Sequence, residues 1–368
     1  MWASSAAWSR QISRPRIVSS SVRPAQYGAA VLPSQIDTVD YHTGGEPFRI
    51  VAEPPVPIPG ATVAERRVRA IEDAGVQALR AVLCFEPRGH ADMYGGFVVP
   101  PDDDGADLGV LFWHKDGFST ACGHGTIALG VWAVDAGLVG APQTGSVDVV
   151  IDVPSGRVTA RVHRDEGRTV AVDFVNVPSW VVARRVPVTT SRGVVEVTLA
   201  YGGATYATLP AAQLGLAVVP EHLGELITLG REVKWALDDS AHAAHPTDPR
   251  LDGVYGTIWF DDLGDAGGQV HQRNVTVFAD GEVDRSPCGS GTSARLAVLH
   301  ADGRLPAGTV LRHDSIVGST FTGTVLAAVD VDGRRAVLPQ VTGMAYRTGE
   351  HRFAIDPYDP LVPGFVLR

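Results

Sequence analysis

Two stretches of this chain repeat one another 166 residues apart, and that repeat limits the folds open to it more than any other feature. From Ala121 the chain reads Ala-Cys-Gly-His-Gly-Thr-Ile-Ala, and from Pro287 it reads Pro-Cys-Gly-Ser-Gly-Thr-Ser-Ala. Each stretch runs on into an apolar helical pattern and reaches a glycine, Gly137 in the first and Gly303 in the second. Repetition at a fixed offset marks duplicated structural units. At 368 residues the chain also exceeds the usual size of one domain. Together these facts predict two related lobes. Each carries one cysteine in a glycine-rich turn at the start of a helix, and the two face each other across a cleft.

The local patterns support an α+β fold. Residues 36–41 read as a strand that breaks at His42-Thr43-Gly44-Gly45. Residues 61–79 place Val63, Val68, Ile71, Val76 and Leu79 at helical spacing, and 81–85 and 108–113 read as buried strands. The segment 146–199 is strand-rich, with 147–153, 157–163, 170–175 and 194–200 carrying β-branched residues bounded by Gly, Pro and Asp. Residues 211–239 read as mainly helical. The expected division is a lobe over 36–165 that carries Cys122 and to which 335–368 return, and a second over 166–334 that carries Cys288. Residues 1–35, rich in Ser and Arg with no acidic residue, read as a disordered extension outside the fold, although the composition also resembles a transit peptide.

Charge and cysteine content narrow the function. A net charge of −10, with no basic cluster, argues against nucleic acid and for a small-molecule substrate. No apolar run reaches membrane-spanning length. Three cysteines cannot form a disulfide framework, which points to a reducing, cytoplasmic setting. A homodimer is compatible with the sequence.

The paired cysteines suggest a chemistry. Inverting an α-amino acid requires taking a weakly acidic Cα proton from one face and returning one to the other, so two groups must alternate between base and acid. A thiol suits this work, because its pKa falls from about 8.5 to roughly 3.5–7.5 at a helix N-terminus. The free N–H groups there also cradle an anion such as a substrate carboxylate. Other uses fit less well. Cys122-Gly-His124 with one distant cysteine gives too few ligands for a metal, and none is expected. No Cys-x-x-Cys redox motif occurs. Cys84, in an apolar run without flanking glycine, reads as core.

On these residues the chain resembles the proline racemase family, which includes hydroxyproline 2-epimerases and trans-3-hydroxy-L-proline dehydratases. The resemblance runs from about Ile36 to the C-terminus. It rests on Asp40-Tyr-His-Thr-Gly-Gly-Glu-Pro47, Glu86-Pro-Arg-Gly-His-Ala-Asp-Met-Tyr-Gly95, Cys122-Gly-His-Gly-Thr126 and Asp284-Arg-Ser-Pro-Cys-Gly-Ser-Gly-Thr292. It implies a diaminopimelate-epimerase-like fold of two pseudo-symmetric lobes, each a curved mixed sheet around a central helix, and no cofactor. It further implies Cys122 and Cys288 as the proton-transfer pair, with Gly123, His124, Gly289 and Ser290 holding the substrate. Asp284 would sit near the ring nitrogen, and Tyr94 and Phe278 on either side of the ring. Met93-Tyr94, Val254-Tyr-Gly-Thr-Ile258 and the ending Asp359-Pro-Leu-Val-Pro-Gly-Phe365 resemble the family's dehydratases. Those enzymes typically carry threonine at the second catalytic position, where this chain has Cys288. The expected activity is therefore racemisation or 2-epimerisation of proline or hydroxyproline, with dehydration of trans-3-hydroxy-L-proline, Cys122 as base, as the alternative.

Overall fold

The computed structural model describes residues 32–306 and 308–367. Most of the extension expected at 1–35 lies outside the described residues. Five α-helices and eighteen strands are present among the described residues, and all the strands belong to one hydrogen-bonded network. Helix α1 is Val63–Glu72, α2 Ala74–Cys84, α3 Gly123–Asp135, α4 Leu223–Asp238 and α5 Gly289–Ala301. None is long and apolar enough to cross a membrane.

Helices α3 and α5 are the organising elements. Both are thirteen residues long, and each buries its first eleven residues on every side. A helix buried all round needs a sheet that wraps it. Around α3 lie the strands Gln35–Thr43, Glu46–Val51, Gly145–Val153, Gly156–Asp165, Arg168–Val175 and Ala345–Ala354. Around α5 lie Trp180–Thr190, Gly193–Tyr201, Thr205–Pro210, Thr320–Val331 and Arg334–Gly343. Irregular register in several of these pairs, as between Val197 and Leu199 and between Val325 and Ala327, bends the sheets around their helices. Two antiparallel pairings tie the chain's distant parts together. Ala345–Ala354 runs beside Gln35–Thr43, and Gln340–Gly343 runs beside Val172–Val175.

The local elements follow their sequence signals with two exceptions. Segment 61–79 forms two helices, because Asp73 both ends α1 and caps α2 by accepting a hydrogen bond from the Val76 N–H. Residues 81–84 continue α2 and do not form the expected strand. An apolar run buried on both faces has the same sequence appearance in either state. Arg80, buried in the same helix, fixes it by donating to the carbonyls of His114 and Lys115. Cys84 lies wholly in this core, as expected. Segment 211–239 contains α4 preceded by two short 3₁₀ turns, since Gly215 takes a left-handed conformation and Pro220 begins a new turn.

Candidate active site

The two cysteines occupy equivalent places. Each is the N-cap of its helix: Cys122 Sγ accepts from the Gly125 N–H at 3.2 Å, and Cys288 Sγ from the Gly291 N–H at 3.3 Å. Glycine at these third positions is a packing requirement. A Cβ at Gly125 would lie 2.8 Å from Cys122 Sγ, and one at Gly291 would lie 2.9 Å from Cys288 Sγ. The helix starts also touch each other, because a Cβ on Gly123 would come within 2.6 Å of the Gly289 Cα. The repeated motif thus brings two helix N-termini, with their unpaired N–H groups and partial positive charge, to one point.

The surroundings differ between the two. Cys122 has ordinary extended backbone, whereas Cys288 sits at φ 63°, unusual for a residue with a side chain. A loop of local hydrogen bonds holds it there. Asp284 Oδ1 accepts from the Ser286 N–H and hydroxyl, and Ser286 Oγ accepts from the Cys288 N–H. Motif residues from the other lobe secure the loop. Glu46 accepts from the Arg285 N–H at 2.7 Å, while Asp92 accepts from the Val283 N–H and the Arg285 guanidinium.

All the anticipated site residues except Gly289 line one cavity. His124 lies 3.5–3.6 Å from Cys122 Sγ and 3.8 Å from the Asp284 carboxylate. Ser290 Oγ is buried and has no hydrogen-bond partner among the described residues. Tyr94 and Phe278 touch at a ring separation of 5.8 Å, so no slot is open between them. The cavity leaves only about 10 Å³ free, room for about one water. Three further walls carry no signal in the duplicated motif: Tyr206, whose hydroxyl is 3.9 Å from Cys288 Sγ, Tyr255 and Thr276. Tyr255 lies within the Val254–Ile258 segment that resembles the dehydratases, and Tyr206 and Thr276 have no such marker.

The thiols depart from expectation. A helix N-terminus was expected to lower their pKa values, yet both are pushed well above the ordinary range, burial being the largest cause. The backbone N–H bond to each sulfur does lower its pKa, but desolvation of a thiolate in a closed cavity outweighs that single peptide donor. The Asp284 carboxylate adds a further upward push on both. Burial likewise pushes His124 down, which keeps it neutral at pH 7.

Behind the cavity, His114, Asp116 and Glu282 bring three potential metal-ligating atoms within 4.8 Å of one another. Lys115 Nζ already holds both Asp116 oxygens, at 3.0 and 2.9 Å. Burial pushes Glu282 up and His114 down to about 3, so these two form a neutral hydrogen bond, 2.9 Å long, between the strands Leu108–His114 and Glu282–Asp284. The cluster acts as a tie between distant parts of the chain.

Known proteins share this architecture and much of the sequence. A trans-3-hydroxy-L-proline dehydratase of Bacillus thuringiensis is 41% identical over 331 residues, covering 90% of this chain and 97% of that protein. A 3-hydroxyproline 2-epimerase of Burkholderia multivorans is 44% identical over 336 residues, covering 90% and 98%. A crystal structure of a hydroxyproline epimerase from Agrobacterium vitis, with bound trans-4-hydroxy-L-proline, superposes with a TM-score of 0.85 at 32% identity over 91% of this chain and 96% of that one. The fold is the expected α+β, diaminopimelate-epimerase-like one, and the relatives are isomerases and hydro-lyases. Residues 38–366 match the family model described as proline racemase, and the chain belongs to the proline racemase family.

Proposed function

We propose that the protein is a 2-epimerase of a ring-hydroxylated proline that works without a cofactor, using Cys122 and Cys288 as its two proton carriers. The observation that carries this reading is the presence of both thiols, each the N-cap of a buried helix, on the wall of a single small cavity. The substrate carboxylate sits between the abutting starts of α3 and α5, where backbone N–H groups and Ser290 Oγ take its charge. There it is also placed to accept charge from Cα as the proton leaves. One cysteine, as thiolate, takes the Cα proton. The other, as thiol, delivers its proton to the opposite face. The epimer leaves with no net change in bonds other than stereochemistry, and the thiols have exchanged protonation states.

Asp284 links binding to activation. Its carboxylate pairs with the cationic ring nitrogen of the substrate. That pairing cancels the negative charge that pushes both thiols up, so an arriving substrate favours the thiolate it needs. Asp284→Asn is expected to lower kcat/KM about a hundredfold through loss of the buried ion pair. It should have the opposite effect on the ligand-free thiols. Alkylation of Cys288 by iodoacetamide at pH 8 should become faster, because removing the carboxylate lowers the thiol pKa and raises the thiolate fraction at fixed pH. Slower alkylation would contradict this role.

The alternative is dehydration of trans-3-hydroxy-L-proline, supported by the name of the Bacillus thuringiensis relative. Proton NMR in D₂O separates the two. L-proline, trans-4-hydroxy-L-proline and trans-3-hydroxy-L-proline are each incubated with the reduced protein. Deuterium at Cα with appearance of the epimer supports the epimerase. Conversion of trans-3-hydroxy-L-proline alone to a cyclic imine overturns it in favour of the lyase.

A further inference from the structure

We propose that Tyr255 and Ser119, acting with Tyr94, read a hydroxyl on the substrate ring and so set the preference for a hydroxylated proline over proline itself. This rests on the reading of the cavity as the seat of a proline-type substrate. With the carboxylate at the helix starts and the ring nitrogen at Asp284, the ring carbons face the remaining walls, which are aromatic. Among those walls a chain of three hydroxyls is built. Tyr94 Oη lies 2.5 Å from Ser119 Oγ and 3.0 Å from Tyr255 Oη. The Tyr255 ring is held in place by stacking on Phe278, with 5.4 Å between ring centres.

Counting donors shows why this chain suits a ligand. Three hydroxyls supply three O–H donors, and two contacts consume two. One donor remains among these three hydroxyls, together with unused lone pairs, and both end residues of the trio, Ser119 and Tyr255, border a larger neighbouring cavity, where a ligand group can meet it. A ring hydroxyl is both donor and acceptor and matches that remainder.

The shape of the site makes the recognition differential. Among the described residues, Tyr255 is the one side chain that lines both the catalytic cavity and the larger cavity of about 540 Å³ beside it, whose wall also includes Ser119. A five-membered ring does not fit the roughly 10 Å³ left free, so the walls must part as the substrate enters; in this proposal Tyr255 gives up its stacking on Phe278 and swings toward the larger cavity, which parts its hydroxyl from that of Tyr94. A hydroxylated ring can bond both separated phenols. Proline leaves them unpaired, the situation in which a polar site rejects an analogue lacking one hydroxyl.

The test compares Tyr255→Phe and Ser119→Ala with the parent protein. Calorimetric binding and Cα hydrogen–deuterium exchange are measured for trans-3-hydroxy-L-proline, trans-4-hydroxy-L-proline and L-proline. Tyr255→Phe should lower the ratio of hydroxylated to unhydroxylated substrate, in both binding and kcat/KM, by about tenfold or more. Ser119→Ala should move it in the same direction by less, and the favoured hydroxyproline identifies the ring position that is read. An unchanged ratio, or equal loss for all three ligands, would overturn the proposal and leave Tyr255 as packing alone. Parent protein that binds these ligands without Cα exchange refutes the epimerase reading, while its binding ratios still judge Tyr255.

Discussion

Cys122→Ala is expected to abolish epimerisation, lowering kcat at least about ten-thousandfold, and Cys288→Ala to do the same. In the proposed mechanism each thiol serves one face of Cα, and both faces are needed in every turnover. Groups that act as a unit lose nearly the whole effect when either is removed. The fold should survive both changes. Each sulfur accepts a single backbone hydrogen bond as an N-cap, and losing one costs about 1 kcal/mol. Cys84→Ala is the control, because Cys84 is buried in α2 and does not line the cavity that holds Cys122 and Cys288. A single-cysteine variant that epimerised at the parental rate would remove the two-thiol mechanism. Cys288→Thr is more informative than alanine, since it installs the residue typical of the family's dehydratases. It should end epimerisation but leave Cys122 able to take a Cα proton. From trans-3-hydroxy-L-proline, the C3–O bond would then break with loss of water, and the resulting enamine would tautomerise to the cyclic imine.

What the sequence made legible was the part of the site built from local chemistry. An N-cap cysteine, glycines that let the sulfur reach a backbone N–H, and a helix beginning at once all lie within about five residues, so each copy of the motif carries its own geometry. The offset between copies then implied that the copies meet. The far wall was not legible because it depends on strand register. Tyr255 faces the cavity because Gly256 pairs with Phe278, and Tyr206 because Thr205–Pro210 runs parallel to the strand that starts at Val254. No local pattern records either pairing. The helical state of residues 81–84 escaped for a related reason, since only tertiary burial separates it from a strand. The error over the thiols was one of magnitude. The helix-terminus argument gave the correct sign for the peptide groups, but the cysteines are 5% and 6% exposed, and at that burial desolvation dominates.

The second large effect concerns the contact between the two helix starts. Gly123→Ala is expected to lower kcat/KM a hundredfold or more, and Gly289→Ala to match it. A Cβ on Gly123 would stand 2.6 Å from the Gly289 Cα and 2.8 Å from both the Gly289 carbonyl carbon and the Ser290 nitrogen. One on Gly289 would stand 2.7 Å from the Gly123 Cα. All of these neighbours are backbone, so no side chain can turn aside, and relief comes only from moving α3 and α5 apart. An ordinary contact is nearer 3.5–4 Å, so the shift required is on the order of 1 Å. Displacement on that scale suffices to cost about a hundredfold when reacting groups must be held on two faces of one carbon. The shift would also widen the proposed carboxylate cradle, so KM should rise along with the fall in kcat. Stability should suffer less than activity, because both helices keep the rest of their buried length. The discriminating measurement pairs kinetics with thermal unfolding. A large loss of activity with Tm lowered by only a few degrees supports the abutting helix starts as the element that sets thiol spacing. Parental activity in either variant would show that the two helix ends can separate without cost to the chemistry.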